Sequence, residues 1–541
     1  MLTALHHWID RNILSLGREM RLSYLPPLMV YVAYGISGLT AIVGTFFVKE
    51  YLGLSAEFLA ALGFWATIPW SLKMPMGHLV DLIWRWKSWL VFLGAGLIAI
   101  SCLIMVALLT DREAMSAIMS PGAWFVLSTL LAPVGYVIQD AVADAMTVEA
   151  VPRVDVNGNP IEPGKLKLMH TTMQTLGRVA IIGGFVIIGV INLYLFRDVN
   201  TLSQEQIAEV YRNIYIMALA IPLISVAGVL FAIYVKYRDK QRMITAGLGR
   251  MEVEKLLQEK TEKTDPNWWI LGGSLAYVIF TVAMGLSENQ YSQEIIFSGS
   301  MAIVIFLMVK LTKVLSPEAR TTLIGTAIII FVFRAVPATG PGMTWWMIDD
   351  LKFDQQFFSV LSLIGSVLTL AGMFIFRRFM AERSIAYVVG ALTVAATFLS
   401  LPYLGMYYGM HELTAGVTGG IVDARFIAIV NTALESPLGQ IAMIPMLAWI
   451  ANSAPANLKA TFFAVMASFT NLALAFSQLG TKYLNQIFIV TREVKDPITE
   501  IVQVPADYSQ LGDLIIVAIV LGLVLPFAAI FLVRAVRLKW A

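Results

Sequence analysis

The sequence predicts an all-α polytopic membrane protein with about fourteen transmembrane helices. Of its 541 residues, 58% are hydrophobic and 14% are charged, and the mean hydropathy is +0.75. Soluble domains carry about 25% charged residues, so this composition cannot supply a water-facing surface. The apolar residues lie in runs of roughly 20, long enough as helices to cross a hydrocarbon core of about 30 Å. Lysine and arginine residues fall mainly in the short segments between these runs.

Six apolar runs, called spans 1 to 6, precede a charged stretch, and eight more, spans 7 to 14, follow it. The predicted bounds of the first six are 25–48, 56–76, 88–109, 122–147, 169–195 and 213–235. Those of the last eight are 268–287, 294–315, 321–339, 356–378, 384–405, 423–449, 459–487 and 512–536. The charged stretch 236–267 alternates bases and acids at i, i+4 spacing, which is typical of a solvated helix and of a linker.

The basic residues predict the topology, because cytoplasmic loops are enriched in Lys and Arg. With both termini inside, roughly 26 of the 38 Lys and Arg residues lie in inner segments and about 8 in outer ones. Removing one helix would reverse every later loop and spoil this bias. We therefore expect an integral protein of a bacterial inner membrane, with both termini in the cytoplasm.

The loop lengths repeat along the chain. Spans 1 to 6 resemble spans 9 to 14 in order and spacing, with a short basic loop after the second helix of each half and a longer outer loop before the sixth. Two matched six-helix halves are typical of one large class of transporters. The predicted units are an N-terminal cytoplasmic or interfacial segment at 1–24, a six-helix bundle at 25–235, the linker at 236–267, two inserted helices at 268–315 and a second six-helix bundle at 316–541.

A short motif connects spans 2 and 3. It consists of Gly77, Leu79 and Asp81, followed by the bases Arg85 and Lys87. Gly77 is expected to allow close helix packing, and Asp81 to pair at a neighbouring helix end, while the bases fix the loop in the cytoplasm. The motif resembles the loop signature of the major facilitator superfamily, which implies two rocking six-helix bundles and a gating role for this loop.

Three further segments narrow the resemblance. Pro69 to Lys73 precedes the motif, residues 139–149 carry the pattern D-x-x-x-D-A-x-x-V-E, and residues 454–466 begin span 13. Together they are similar to the folate-biopterin transporter family within that superfamily. The muropeptide permeases, a more distant relative, share the aspartate-containing fourth helix and the fourteen spans. The resemblance implies a transporter, with a folate or another pterin-like anion as its solute.

Ionisable residues at bilayer depth cost about 2.5 to 3.5 kcal/mol each on insertion scales, so they are expected to face a cavity or a partner. Asp140 and Asp144 are four residues apart and share one face of span 4. Arg178 in span 5 lies at about the same depth as Asp140, which makes a pair between these two geometrically feasible. One hypothesis is proton coupling or substrate binding by this pair, and the alternative is a static ion pair that locks spans 4 and 5.

The second half offers Arg334 in span 9, with Asn431, Glu435 and Gln440 in span 12. Arg334 facing an anionic substrate would supply bidentate recognition of a carboxylate. The alternative is a structural pair between Arg334 and Glu435. Gln174 and Lys73 are secondary candidates for the site, because Lys73 sits where a lysine can snorkel to the interface.

Several classes of protein are not indicated. The chain has no phosphate-binding loop, no zinc-helix motif and no basic surface suited to nucleic acid, and we expect no cofactor and no metal. The buried acids lack a companion nucleophile or metal set, so an enzyme is not expected. Asp349 and Asp350 are expected in a solvated outer loop. Glycine pairs, Gly35 with Gly38 in span 1 and Gly183 with Gly184 in span 5, are assigned to helix packing or bending rather than to ligand contact.

The leading hypothesis is a secondary active transporter that rocks its two halves about a mid-membrane site. Its partners would be the lipid bilayer and a small-molecule substrate, here a folate or pterin-like anion, with a coupling proton. One alternative keeps the class and changes the solute to a muropeptide or another amphipathic molecule. A second alternative is a transporter-like protein that serves assembly or delivery without moving solute.

Overall fold

The computed structural model describes most of the chain as helices. The described residues are 10, 14–52, 54–71, 73–152, 154, 159, 161–251, 253, 268–285, 287, 289–313, 315–376, 379, 383–439, 459–495 and 502–540. Within them, eight helices are long and apolar enough to cross a membrane. The polytopic helical architecture expected from the composition is therefore confirmed.

The first half of the chain supplies spans 1 to 6. A short helix at Ser15–Arg18 precedes them. Their helices are Leu25–Gly35 and Ala41–Tyr51 (span 1), Ala56–Ser71 and Lys73–Leu82 (span 2), Ser88–Thr110 (span 3), Pro121–Ala150 (span 4), Pro163–Leu195 (span 5), and Gln204–Ala218 and Ala220–Thr245 (span 6). A short helix at Arg112–Ile118 links spans 3 and 4. Because the span 6 helix runs to Thr245, the first ten residues of the expected linker extend that helix, and most of the remaining linker lies outside the described residues.

The second half supplies spans 7 to 14. Their helices are Trp268–Gly285 (span 7), Ser292–Thr312 (span 8), Pro317–Arg334 (span 9), Gln355–Ile375 (span 10), Ile385–Tyr407 (span 11), Ala424–Glu435 (span 12), Lys459–Ile487 (span 13) and Leu511–Ala535 (span 14). Short connector helices occupy Pro341–Asp349 and Met410–Val417. The strands β1, Val494–Lys495, and β2, Val502–Val504, form an antiparallel hairpin before span 14 that the sequence patterns did not predict.

Several helices begin at a residue whose side chain accepts a hydrogen bond from the first turn. Ser120 caps span 4, Ser316 caps span 9 and Asp423 caps span 12 in this way. Span 6 begins with a reciprocal capping box between Ser203 and Gln206. Such caps satisfy backbone N–H groups that have no partner within the helix, so they mark where each helix begins.

The contacts between helices relate the two halves by an approximate two-fold pattern. Span 2 packs along span 13, and span 5 packs along span 10. The loop lengths predict that spans 1 to 6 correspond in order to spans 9 to 14. Span 2 then matches span 10 and span 5 matches span 13, so the contact of span 2 with span 13 is equivalent to that of span 10 with span 5. Within the first half, span 1 contacts spans 4, 5 and 6, and span 3 packs on span 4. The described helices thus form two bundles that meet along two related seams.

The inserted helices, spans 7 and 8, lie beside one of these seams. Span 7 packs on span 8 and on the helix Lys73–Leu82, while span 8 packs on span 13. Glu294 at the start of span 8 accepts a hydrogen bond from Lys482 at 3.3 Å and another from Tyr483. The inserted pair therefore covers the seam between spans 2 and 13 rather than separating the two halves.

Two glycines bring span 1 and span 5 into backbone contact. A Cβ added to Gly35 would lie 2.2 Å from the Ile181 carbonyl oxygen, and one added to Gly184 would lie 2.6 Å from the Gly35 Cα. Gly183 next in sequence has nothing within 4 Å of the same position. The packing role expected for these glycines therefore holds at Gly35 and Gly184, where only glycine permits the approach.

Candidate functional site

Lys73 bridges the two aspartates of span 4. Its Nζ lies 2.5 Å from Asp140 Oδ2 and 2.7 Å from Asp144 Oδ2. The two acids meet one cation because residues four apart share a helix face, and Lys73 begins the second helix of span 2 opposite them. The Asp140 side chain is 12% exposed and that of Asp144 is 49% exposed. These three residues, called the lysine–aspartate triad, hold one positive and two negative charges when ionised.

The triad is joined by hydroxyl and amide groups from spans 1 and 5. The Tyr31 hydroxyl donates to Asp144 Oδ1 at 2.6 Å. Gln174 Nε2 donates to Thr147 Oγ1 at 3.3 Å, one helical turn beyond Asp144. A Cβ on Gly177 would lie 2.9 Å from the Tyr31 ring, so this glycine makes room for the tyrosine. Four helices, spans 1, 2, 4 and 5, thus converge on one polar site.

The structure corrects the expected partner of Asp140. Among the described residues, Asp140 and Arg178 form no ion pair, and Lys73 takes the place assigned to Arg178. The suggestion that Lys73 snorkels to the interface is wrong, because its ammonium is held by both carboxylates. Depth along a helix fixes only one coordinate of a side chain, whereas the direction it faces also depends on helix rotation. Arg178 still lies within electrostatic range of both acids.

Arg334 and Arg178 bring a second charged group to the same region. The two guanidinium charges lie within electrostatic range of each other, although one belongs to span 9 and the other to span 5. Neither makes an ion pair within the part of the chain that the structure describes. The structural pair between Arg334 and Glu435, the alternative interpretation, is not formed either. Two arginines from opposite halves therefore lie within electrostatic range of each other, and neither forms an ion pair with a carboxylate among the described side chains.

The span 12 candidates lie in a separate polar patch. Asn431 is 2% exposed, and neither polar atom of its amide has a partner that meets hydrogen-bond geometry among the described residues. Glu435 and Asn431 both lie beside the Tyr403 hydroxyl of span 11. Thr369 Oγ1 in span 10 donates to the Ser436 carbonyl at 2.9 Å. Gln440 lies outside the described residues, so its place relative to this patch is not assigned.

The motif between spans 2 and 3 is largely helical. Gly77 and Asp81 lie in the helix Lys73–Leu82, and Arg85 lies in a 3₁₀ turn at Trp84–Trp86. The side chains of Asp81 and Arg85 are outside the described part of the structure. A Cβ on Gly77 would meet nothing within 4 Å, so the close packing expected at this glycine is not seen among the described residues.

Lys87 is the motif residue with the most defined environment. It pairs with Glu149 at the end of span 4, and its Nζ lies 3.9 Å from the centre of the Trp84 ring. Lys236 also reaches Glu149, at 3.4 Å. Sequence reasoning missed this cluster, although Lys87 and Glu149 both belong to segments that carried the family resemblance. The contact joins those two segments at the end of the bundle where spans 3, 4 and 6 meet.

A second cluster lies at the opposite end of the bundle. Lys49 of span 1 pairs with Asp349 at 2.5 Å, and the Tyr508 hydroxyl donates to the same carboxylate. Arg492 donates to main-chain carbonyl oxygens that follow span 1, and its guanidinium lies 4.9 Å from the centre of the Trp345 ring. The expectation that Asp349 occupies a solvated loop is wrong, since its side chain is 14% exposed and ion-paired. Lys49, Asp349, Arg492 and Tyr508 are called the far latch below.

Comparison with known proteins agrees with this architecture. A folate-biopterin transporter of Synechocystis sp. (strain ATCC 27184 / PCC 6803 / Kazusa) is 22% identical over 477 residues, which cover 87% of this chain and 76% of the relative. A crystal structure of a POT family transporter in complex with 5-aminolevulinic acid superposes with a TM-score of 0.57 at 13% identity, covering 95% of this chain and 96% of the other. The nucleoside transporter NupG, crystallised as a point variant, gives 0.53 at 12% identity, covering 94% and 99%.

These similarities establish the fold and the class of protein. Both solved structures are transporters that superpose on nearly the whole chain, and the predicted major facilitator fold is confirmed. The resemblance to folate-biopterin transporters, drawn above from four short segments, is confirmed by a match that spans nearly the whole chain. Residues 34–538 match the BT1 family, and the chain is therefore a member of this family and a membrane transporter rather than an enzyme.

Proposed function

We propose that this protein is a secondary active transporter of a folate or another pterin-like organic anion, and that it works by proton-coupled alternating access. Membership of the BT1 family and the name of the cyanobacterial relative support this choice of solute. The observation that carries the proposed coupling is the contact of Lys73 with two carboxylates at 2.5 and 2.7 Å. The orientation that fits the basic loops puts both termini in the cytoplasm of a bacterial cell.

The triad suits proton coupling because its charges do not balance. One lysine faces two carboxylates, so a proton taken up by one acid leaves a neutral pair of Lys73 with the other. Tyr31 donates a hydrogen bond to Asp144, which favours the charged form of that acid, so Asp140, the less exposed of the two, is proposed to take up the proton. A proton that neutralises a buried charge is an efficient switch, since charges at this depth are costly without a partner.

The triad also lies close to a seam that must shift when the halves rock. Asn471 of span 13 donates to the Trp70 carbonyl of span 2 at 3.0 Å, and Lys73 follows three residues later. Movement of span 13 relative to span 2 therefore acts on the segment that carries the lysine. Protonation of Asp140 or Asp144 changes the ion pairs that connect span 4 to Lys73. In this way a proton and the position of the seam influence each other.

Arg178 and Arg334 are proposed to bind the anionic part of the substrate. A guanidinium group offers five donors in a planar fork that matches a carboxylate. One arginine belongs to each half, so an anion placed between them would be held by both bundles and would offset the repulsion between the two cations. Asn431 and Glu435 are proposed to contact the remaining polar edge of the solute from span 12.

The coupling is tested by uptake of labelled folate into vesicles with and without an inward proton gradient. Asp140→Asn and Asp144→Asn should each remove the stimulation by the gradient, and Glu435→Gln tests the remaining acid. Asp198→Asn is the matched control, since Asp198 lies in a connector and its side chain is 67% exposed. If both triad variants keep full stimulation by the gradient, the triad does not couple protons.

The solute is tested by competition in the same vesicles. Unlabelled folates and pterins should compete with labelled folate, whereas muropeptides should not. Arg178→Lys and Arg334→Lys should raise the concentration needed for half-maximal uptake by about tenfold or more, because a lysine loses the bidentate geometry. Competition by muropeptides alone would favour the alternative solute. Binding of folate without measurable flux would favour a delivery or assembly role.

A further inference from the structure

Several polar contacts join the two halves at one end of the bundle, called the far end, which lies opposite the contact of Lys87 with Glu149. Besides the ion pair of Lys49 with Asp349, Gln355 of span 10 donates to the Tyr211 hydroxyl of span 6 at 2.8 Å. Gln486 of span 13 donates to Glu57 at the start of span 2 at 2.5 Å. Each contact joins a residue before the linker to a residue after it. The two bundles are thus closed against each other at the far end.

Arg492 makes the most extensive of these contacts. It is 4% exposed, and its guanidinium donates to the carbonyl oxygens of Lys49, Leu52 and Leu54. Lys49 lies in the last turn of the helix Ala41–Tyr51, where the C=O groups have no helical partner and carry partial negative charge, and Leu52 and Leu54 follow that helix. A single cation from the second half therefore caps the end of span 1 in the first half. Its opposite face lies over the Trp345 ring, which excludes water from that side.

Arg492 and Tyr508 lie at the base of one hairpin, one on each side of it. The strands β1 and β2 pair, and a bridge between Thr491 and Asp507 closes the base of the hairpin next to both residues. At the first strand, Arg492 donates to the carbonyl oxygens at the end of span 1. At the second strand, Tyr508 donates to Asp349. Burial and the hydrogen bond to Asp349 raise the pKa of Tyr508 well above its usual value, so the phenol remains a donor over the whole physiological range. Both arms of the far latch therefore belong to the connector between spans 13 and 14.

The opposite end of the bundle, where Ser23, Lys87 and Lys539 lie, differs in its polar contacts. Ser23 donates to the Ala150 carbonyl, and Lys87 pairs with Glu149, all within the first half. Lys539 pairs with Glu318 within the second half. Each of these three contacts joins residues of one half. The contacts between the halves on which the inference rests are therefore those of the far end.

We infer that Arg492 and Tyr508, at the base of the hairpin between spans 13 and 14, form the far-end gate of the transport cycle, and that Arg492 is the residue that holds it shut. The inference rests on the proposed alternating access. The arrangement is reversible, because the carbonyls and the guanidinium all become hydrated when the halves separate, whereas a buried apolar seal would expose surface to water. Loss of the Arg492 side chain leaves the separated state unchanged and weakens the closed state, so the population shifts towards far-end opening.

The inference is tested by the access of a membrane-impermeant thiol reagent from each side of the membrane. In a Cys102→Ala background, Gln174→Cys reports on the central cavity, since Gln174 lies beside the triad. Val417→Cys identifies the far side, since Val417 is 90% exposed in the connector after span 11. With the reagent on that side, Arg492→Gln should speed labelling of the cavity reporter about tenfold or more over the parent. Arg197→Gln is the control, because Arg197 is 70% exposed and pairs only locally with Asp198.

Two further measurements keep the outcome decisive. Arg492→Lys retains the charge and should label at a rate between those of the parent and Arg492→Gln, because lysine cannot bind three carbonyls in one plane. A short cross-linker that joins Glu57→Cys to Gln486→Cys across the far end should stop cavity labelling from that side in the Arg492→Gln protein. Equal labelling of the folded parent and Arg492→Gln proteins would overturn the inference. The readout needs no substrate, so an error in the proposed solute leaves it intact.

Discussion

The crossing of span 1 and span 5 gives the sharpest test of the packing. Gly184→Ala would place a methyl group 2.6 Å from the Gly35 Cα and 2.7 Å from its carbonyl carbon, whereas Gly183→Ala places one where no atom lies within 4 Å. The two glycines are neighbours in one helix. The intrinsic gain in helix propensity, about 1 kcal/mol at most, is therefore the same for both and cancels in the comparison.

The expected difference follows from the contact distances. Ordinary contacts of a Cβ with other carbon atoms begin at about 3.4 Å, so spans 1 and 5 must separate by several tenths of an ångström at the crossing. The clashing atoms belong to the backbone and cannot rotate away as a side chain would. Overpacking of this kind costs about 1 to 3 kcal/mol. We therefore expect Gly184→Ala to be less stable than Gly183→Ala by that amount.

Thermal unfolding in detergent can be followed through Cys102, which is the single cysteine of the chain and is 8% exposed. A fluorogenic thiol dye reacts with it when the bundle opens. The melting temperature of Gly184→Ala should fall a few degrees below that of Gly183→Ala. If Gly184→Ala melts at the same temperature or higher, the two backbones do not approach as closely as described and the reasoning fails.

Three other outcomes are expected. Lys87→Met should destabilise the protein by leaving Glu149 with the more distant Lys236, and adding Glu149→Gln should recover part of the loss in the same dye assay. Ser225→Ala should cost about 1 kcal/mol, because its hydroxyl donates to the buried Gln139 amide at 3.0 Å; a loss below the error of the melt would contradict this. Tyr31→Phe removes the hydroxyl that donates to Asp144, so the pH at which labelled folate uptake is half-maximal should shift. An unchanged dependence of uptake on pH would show that Tyr31 has no part in proton coupling.

The apolar runs predicted the bounds of the helices well where charged residues directly flank the run. Span 3 was expected at 88–109 and is found at Ser88–Thr110, because Lys87 and Asp111 flank an uninterrupted apolar segment. Spans 5 and 6 begin earlier than expected, at Pro163 and Gln204. Their first turns carry charged and polar side chains, since they project beyond the hydrocarbon core, and a hydropathy criterion cannot include them.

The site was predicted less completely than the helices. Asp140, Asp144 and Arg178 were found because charge at bilayer depth is rare, but the ranking of Lys73 as a secondary candidate missed the central cation of the triad. The sequence gives the depth of a residue and not the rotation of its helix, nor which helices are neighbours. The far latch was missed for a different reason. Its arginine lies in a polar connector, where a charged residue is expected and attracts no notice.

The manner in which Arg492 holds the first half has an evolutionary consequence. Its acceptors are main-chain oxygens of Lys49, Leu52 and Leu54, which any amino acid would provide. These hydrogen bonds therefore place no constraint on the side chains at positions 52 and 54, and paired substitutions will not record the contact. The burial of Leu52 constrains that position separately. Searches for covarying positions should not detect this contact, whereas Arg492 itself should be conserved among homologues.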